Sequence, residues 1–456
     1  MAQAIEKTRA PRRNWNFRPS AKFARCGVVR TVPPTETIRR VTPLMEIIGV
    51  TRVGEVTGLD RVGIHNFTSV RPRERGEGIS YYNGKGLTRA AACAGALMEA
   101  IERYSGELCD LPVYYCTRNE MERRGSTIDP ASVIVPRTME YSPELRLEWV
   151  EGFDLLCGHP TYLPLNAVVF PYEPPAGRPV LYDSGTNGLA SGNTLEEALC
   201  HALCEVIERD ASAISDAWTD LAPAVSRALK QMGLASPDAN LPADTCFPLI
   251  ELESLPRRAK VLVQRLQRAG ISVYLRDITS TAGIATFDCV IVDRPMGSPP
   301  LAAGGTGTHP DARVAVTRAL TEAAQSRIGY IQGGREDLVR ILRASSPVNP
   351  DKIYGGKTVR PFSSVASYEH TNIDDDIRLL LDRLRDDGFT KVIAVDLTRP
   401  ELGIPVLRVI IPGAEAWSTY VTHGRRGRFG ARIAAILHAR KYSAESKVTP
   451  ANLTGT

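Results

Sequence analysis

The sequence predicts a mixed α/β (α+β) protein whose sheets and helices pack around one cleft. Three observations carry that expectation. Helix-period and strand-period segments alternate along the chain. A glycine-containing segment precedes an Ala-rich helix three times. The 456 residues exceed what one ordinary core encloses, so two or three packed subdomains are expected. The expected division is a basic arm over 1–30, a first subdomain over 31–225, a second over 226–340 and a C-terminal unit of the same fold over 341–456.

Taken in order, residues 1–30 are Arg-rich, with Arg12, Arg13, Arg18, Arg25 and Arg30 around Trp15. Composition assigns this arm no chemistry. Residues 36–48 read as a helix bent near Pro43, because proline removes a backbone donor. Short alternating strands with Gly turns follow up to Arg71 and Pro72, then a strand over Ile79–Tyr82. The loop at Gly84, Lys85 and Gly86 is no P-loop: Ile79 stands where that motif needs its first glycine, and Gly86 replaces the Ser/Thr. Lys85 either reaches a phosphate or is an exposed turn lysine.

The helix after this loop ends in Glu-x-x-Glu-Arg: Glu99, Glu102 and Arg103. Strands at EWVEGFDLL and TYLPLNAVVF are expected to form sheet beneath it. A second unit, GTNGLASGNTLEEALCHALCEVIERDA, starts its helix at Thr194, where Thr194 and Glu197 have capping-box spacing. At about 100° per residue Glu197, Glu205 and Glu208 share a sector of roughly 80°, opposite Leu199, Ala202, Leu203 and Val206. No lysine lies between Thr194 and Ala211, so the neutralising charge must come from elsewhere. Glu197 and Glu208 stand about 16 Å apart along the axis, suited to a row of two or more Mg²⁺ ions, which usually accompany phosphates.

Residues 222–248 read as a connector and 257–269 as a basic amphipathic helix, followed by strands ISVYLRDI and ATFDCVIVDRP. The third unit, RALTEAAQSR, follows GGTGTHPD and carries Gln325 where a second glutamate would stand. A loop-rich passage over 333–364 leads to buried strands KVIAVDL and IPVLRVIIPGAE and a last helix, RFGARIAAILHARK. Three such units suggest one composite site. A solvated ion-paired face explains a single Glu-x-x-Glu-Arg equally well, but not two after Gly segments.

Hydrophobic content of 43% with 23% charged residues is that of a soluble globular protein, and no apolar run approaches a membrane span. The net charge of +5 comes without a basic stripe interleaved with aromatics, which argues against nucleic acid. Nine cysteines without a C-x-x-C pair indicate reduced thiols in a cytoplasm. Cys200, His201 and Cys204 admit a transition-metal reading, yet no second ligand pair at zinc spacing accompanies them.

At these residues the chain resembles the YcaO family. Its three signature blocks are similar to the GKG-to-MEAIERYS helix, the TNGLASGNTLEEAL-to-ALCEVIERDA helix and RALTEAAQSR, in order, and the likeness extends from about Arg30 to about Arg440. The resemblance implies ATP and Mg²⁺ as cofactors and phosphorylation of a peptide backbone amide oxygen. It implies metal-holding roles for Glu99, Glu102, Glu197, Glu205 and Glu208, an asparagine near the nucleotide at Asn187, and a phosphate-contacting arginine at Arg327 or Arg318. Arg30 and Thr37 have the seven-residue separation of a nucleotide-contacting Lys/Ser pair in some members.

The single proline in the tail KVTPANLTGT departs from the Pro-rich ending of azoline-forming members. The stretches VPPTETI, GVTRVGEVTGLDRVGI and MEAIERYS are more similar to members that work with a TfuA-type partner and are associated with peptide thioamides, including the thioglycine of methyl-coenzyme M reductase. The expectation is therefore a homodimeric enzyme that takes a peptide or protein substrate and sulfide or a sulfur-donor protein. An azoline cyclodehydratase is the alternative, with a non-catalytic nucleotide-binding partner or an ATP-independent metal hydrolase from other classes.

Overall fold

The structure, a computed structural model, describes residues 15–23, 29–72, 80–107, 111–133, 140–182, 185–221, 231, 247–294, 300–334, 358–416 and 430–434. The proline-bent entry is two short helices, α1 (Pro34–Val41) and α2 (Leu44–Ile47). Strands β1 (Arg52–Glu55), β2 (His65–Val70) and β3 (Tyr81–Gly86) form an antiparallel sheet in that order. Helix α3 (Arg89–Ser105) packs on β3, and β4 (Tyr114–Cys116), α4 (Arg118–Glu122), β5 (Leu147–Asp154), β6 (His159–Pro164) and β7 (Leu189–Ser191) lead to the long helix α5 (Leu195–Asp216).

After β8 (Leu249–Ile250) come α6 (Arg257–Arg268), β9 (Ile271–Asp277), β10 (Thr286–Asp293), β11 (Leu301–Thr308) and α7 (Ala312–Gln332). The last elements are β12 (Val359–Arg360), α8 (Ile373–Asp386), β13 (Ile393–Asp396) and β14 (Val406–Ile410). The second sheet runs β11-β10-β9-β8-β12; the third runs β4-β5-β13-β14-β7, with β6 also on β5. Among the described residues no helix is long and apolar enough to cross a membrane.

The third sheet joins distant parts of the chain. β13 and β14 lie between β5 and β7, so the units expected over 31–225 and 341–456 share one sheet. The expected divisions near 225 and 340 fall outside the described residues. β14 shows why this sheet is central: Val406 and Ile410 face a core with Trp149, Leu163 and Ile101, while Leu407 and Val409 face α5 and α8 through Leu199, Leu203 and Leu380. Both faces are buried, and β14 is apolar apart from Arg408.

The glycines at 84–86 and 304–307 lie in strands, not loops. β3 and β11 both run through them. A methyl group on Gly84 would collide with the Ala92 and Ala96 backbone, and one on Gly305 with Ala319 and Ala323. Missing Cβ atoms and Ala-rich faces let α3 and α7 press against their strands, which is the physical content of the repeat. Helix α8 has no counterpart in the sequence-based expectation, although Ile377, Leu380, Leu381 and Leu384 give it an apolar stripe.

Gly84→Ala and Gly305→Ala should each lower unfolding stability by about 1–3 kcal/mol, because overpacking forces helix and strand apart. Urea denaturation measures this; an unchanged midpoint would show that the helices can retreat freely.

Candidate functional site

A cleft of about 930 Å³ opens between α3, α5, α7 and the edges of the sheets. Glu99, Glu102, Glu197, Glu205, Glu208, Lys85, Asn187, Arg30, Thr37 and Arg318 all line it. Two helices, α3 and α5, bring all five glutamates there. The Glu102 carboxylate accepts from the Ser191 amide at 3.1 Å, fixing the end of α3 to β7, and Glu99 pairs with Arg103 at 3.2 Å. Burial, with Glu205 and Glu99 adding, pushes Glu102 up to about 8. Burial followed by the Glu208 charge raises Glu205. Burial and the Glu322 charge raise Glu208, although Thr306 Oγ1 donates to it at 2.8 Å.

Glu322 was missed in the sequence. It lines the cleft from α7, paired with Lys85 at 2.5 Å, and that ammonium holds its carboxyl below the usual range against burial. Its signal was present: Glu322 occupies the first glutamate position of the third repeat. Arg209 also lines the cleft, kept charged, against burial, by Glu205, Glu208 and Glu322.

Glu197 is placed differently from its helical neighbours. Thr31 N and Oγ1 donate to one of its oxygens at 2.5 and 2.6 Å; Asn193 N and Nδ2 donate to the other at 2.9 and 2.8 Å. Thr194 caps α5 by accepting from Glu197 N at 3.2 Å, but the Glu197 side chain does not return to the cap as a capping box would require. Against burial, Arg30 and Thr31 hold this carboxyl low. The two Thr31 donors anchor that part of the chain to α5 and the two Asn193 donors fix the turn before the helix, so Glu197 here braces the cleft wall while the other glutamates face one another.

The same cleft also holds a cationic cluster. His201 stands between two guanidiniums, its Nδ1 3.3 Å from Arg30 and its Nε2 3.0 Å from Arg318. Burial, then Arg318 and Arg30, keep the ring far below its usual pKa and neutral. A neutral imidazole accepts at one nitrogen only, so one guanidinium faces an N–H and lacks an acceptor there. Thr37 donates to Asn193 Oδ1 at 2.9 Å, tying α1 to the same part of the cleft.

Arg327, expected alongside Arg318 as a phosphate contact, lies outside the cleft. It is 4% exposed and bound to Asp60 at 3.0 Å and Asp293 at 3.0 Å. Two buried carboxylates already satisfy it, so it is a structural ion pair in this structure. The transition-metal alternative at Cys200, His201 and Cys204 loses its ring, because both His201 nitrogens face guanidiniums. His309 approaches Cys200 and Asp376, but its Nδ1 accepts from Asp311 N at 2.9 Å, leaving the proton on the Nε2 that faces Asp376. Lys22 meets that same carboxylate at 2.5 Å. The N-terminal arm is docked by this contact and by Trp15 stacking on Phe153.

Residues 83–415 match the family described as YcaO cyclodehydratase, ATP- and Mg²⁺-binding. The chain belongs to the YcaO family. An uncharacterised Methanothermobacter thermautotrophicus protein is 36% identical over 397 residues, covering 85% of this chain and 95% of that one. A Rhizobium leguminosarum bv. trifolii protein encoded in the tfuA 3′ region is 31% identical, over 74% and 77% of the two chains. The fold is similar to that of the Methanopyrus kandleri YcaO structure bound with AMPPCP and Mg²⁺: TM-score 0.64, 24% identity, 90% of this chain and 99% of that one. ATP and Mg²⁺ are the cofactors of this family.

The residues of this YcaO protein fit both groups. Glu208 Oε2 is buried without a hydrogen-bond partner, beside carboxylates whose proton affinity is raised by mutual repulsion and burial. Asn187 Oδ1 is likewise buried without one. Such a cluster wants a divalent cation, and the arginine cluster wants an anion.

Glu208→Gln and Glu205→Gln should abolish Mg²⁺-ATP binding by calorimetry while Glu196→Gln, whose side chain accepts only from Arg18 N at 3.1 Å, leaves it within threefold. Arg327→Met should instead cost about 3–5 kcal/mol of stability, since Asp60 would lose its buried partner and Asp293 would keep only Arg61. The pH dependence has a definite sign. From 4.5 to about 8 the folded protein keeps a proton on Glu102 that the unfolded chain has lost, so without metal its stability falls as pH rises across that window. Metal binding expels the proton, so affinity should climb up to about tenfold per pH unit there, and Mg²⁺-ATP should raise the Tm more at pH 8 than at pH 6. A shift independent of pH would remove Glu102 from the metal site.

Proposed function

We propose that this YcaO protein activates a peptide backbone amide with ATP and replaces its oxygen by sulfur. The observation that carries the ATP-dependent part is a single cleft that gathers buried carboxylates together with Arg30, Arg318 and Lys85, matching Mg²⁺ and polyphosphate. In this reading Glu99, Glu102, Glu205 and Glu208, joined by Glu322, hold the metal. Arg318, Arg30 and Lys85 orient the phosphates, Asn187 and Thr37 stand close to the nucleotide, and Glu197 fixes the segment that carries Arg30. Bound Mg²⁺ supplies neutralisation of charge on the phosphoryl group in transfer.

Resonance makes an amide carbon a poor electrophile. Transfer of the γ-phosphoryl group to the amide oxygen releases ADP and converts that oxygen into a leaving group. Sulfide then adds to the carbon, and the C–O bond breaks to release phosphate and leave a thioamide. Glu102, held by the Ser191 amide, and Arg30 and Arg318, each beside a His201 nitrogen, are positioned before substrate binds, which reduces reorganisation as charge develops. The relative from the tfuA 3′ region supports a TfuA-like partner protein, and the resemblance to TfuA-associated members suggests sulfur as the incoming atom, with a sulfide or sulfur-carrier donor and a homodimeric cytoplasmic enzyme as further parts of the proposal. The description of the family as cyclodehydratases supports the second reading, in which a neighbouring Cys, Ser or Thr side chain attacks and forms an azoline.

Mass spectrometry of a candidate peptide incubated with the protein, Mg²⁺-ATP and sulfide, with and without a TfuA-type protein, separates these. A gain of about 16 Da is expected for oxygen replaced by sulfur, and a loss of about 18 Da would move the assignment to ring formation. No mass change and no ADP formation with any peptide or partner would make the protein a nucleotide-binding partner instead.

A further inference from the structure

The cleft continues past the carboxylates. Beyond Glu208 its lining passes to Ser212 and Ser215, about 6 and 10 Å further along the axis of α5, on the stripe that also carries Glu205. The second sheet packs on α5 through β10 and β11 and adds a row of side chains to the same lining. Thr306 of β11 is the register partner of Asp288 on β10, and Asp288 that of Arg276 on β9. Thr306 donates to Glu208 at 2.8 Å, and Arg276 pairs with Asp288 at 2.5 Å, so the row starts at the carboxylates and leads away from them. Ser212 Oγ and Ser215 Oγ are both buried without a hydrogen-bond partner among the described residues, and Ser215 is 1% exposed. A buried hydroxyl left unpaired costs free energy, which a bound ligand recovers. Arg30 and Thr37 stand at the other end of α5, against His201 and Asn193. The cleft thus has two ends, one on each side of Glu205 and Glu208.

We propose that Ser212 and Ser215 hold the main chain of the peptide substrate, which places the acceptor amide on the side of Glu208 away from the nucleotide. The inference rests on the amide-activating reading above and gives its second substrate a site. Phosphoryl transfer sets the attacking and leaving oxygens on opposite sides of the phosphorus. With Arg30 and Thr37 beside the nucleotide at the start of α5, the amide oxygen enters from the far end of the helix, where the two serines stand. The chemistry of the lining agrees. Carboxylates and arginines at the centre suit charged groups, whereas a hydroxyl is neutral and both donates and accepts, as one peptide unit does through its C=O and N–H. Two hydroxyls about 4.5 Å apart along the axis span between one and two residues of extended chain. Contacts of this kind read the backbone, so the site requires a main-chain N–H and no particular side chain.

The test uses the full chain loaded with Mg²⁺ and AMPPCP, titrated with acetyl-pentaglycine amide and followed by line broadening of the peptide's NMR signals. Acetyl-pentasarcosine amide, whose residues carry N-methyl in place of N–H, should bind at least fivefold more weakly. Ser212→Ala combined with Ser215→Ala should weaken the glycine peptide at least tenfold and leave Mg²⁺-AMPPCP affinity within twofold. The Tm of this variant should stay level or rise, because the hydroxyls it removes bond nothing in the described protein. Ser212→Thr, which keeps a hydroxyl, should bind the glycine peptide within threefold of the native chain. Unchanged peptide binding in the double alanine variant, equal binding of the sarcosine peptide, or no peptide binding by the native chain overturns the proposal. So does a loss of nucleotide affinity in the double variant, which would give the hydroxyls to the nucleotide, or a lower Tm, which would give them to the fold. Failure of the amide-modifying reading looks different: the glycine peptide binds through the serines, while incubation with Mg²⁺-ATP yields no ADP and no change of mass.

Discussion

Mutual repulsion of carboxylates in one buried space is the constraint around which this fold is arranged. Glu102, Glu205 and Glu208 each bind protons more tightly than a free glutamate because burial and their neighbours disfavour charge. Left alone, such a cluster would push α3 and α5 apart. What opposes it is the charge of Arg209 and Lys85 within the cluster, together with packing: glycine strands against alanine helices, and α5 sandwiched between the third sheet and α8. The apolar cores therefore hold in place an arrangement that local electrostatics disfavours, as expected of a site built for a cation.

The cationic cluster follows the same logic with reversed sign. Arg30, Arg318 and His201 come from three separate parts of the chain, and no two would stay together without a framework. Glu197 provides much of it, since its four hydrogen bonds tie residue 31 and Asn193 to the start of α5. A carboxylate on the acidic face by helical period thus serves the basic cluster by position.

That difference shows how far the sequence could be read. Period and repeat sufficed for the helices and for the convergence of Glu99, Glu102, Glu205 and Glu208, because both are local properties of a helix face. They could not separate Arg318 from Arg327, which stand nine residues apart on one helix and face opposite partners; only the positions of Asp60 and Asp293 decide that. Nor could they place β13 and β14 inside a sheet begun about 280 residues earlier at β4, since pairing over that separation depends on the closure of everything between. The glycines were legible as a signal and misread as loops: a Gly run looks the same whether it permits a turn or a close approach.

Glu322 and Gln325 explain why the third repeat is not a copy of the first two. Gln325 stands where α3 and α5 carry Glu102 and Glu208, and its amide donates to the Asn83 carbonyl of β3. A glutamate there would bring one acceptor against another, so the donor is required by contact with the first repeat. Glu322, one turn earlier, reaches Lys85 on the same strand. Helix α7 therefore adds one carboxylate to the cluster and uses its next polar position to lock β3. The cleft needs its third helix to close it, and closure, more than charge, sets the residue at that position.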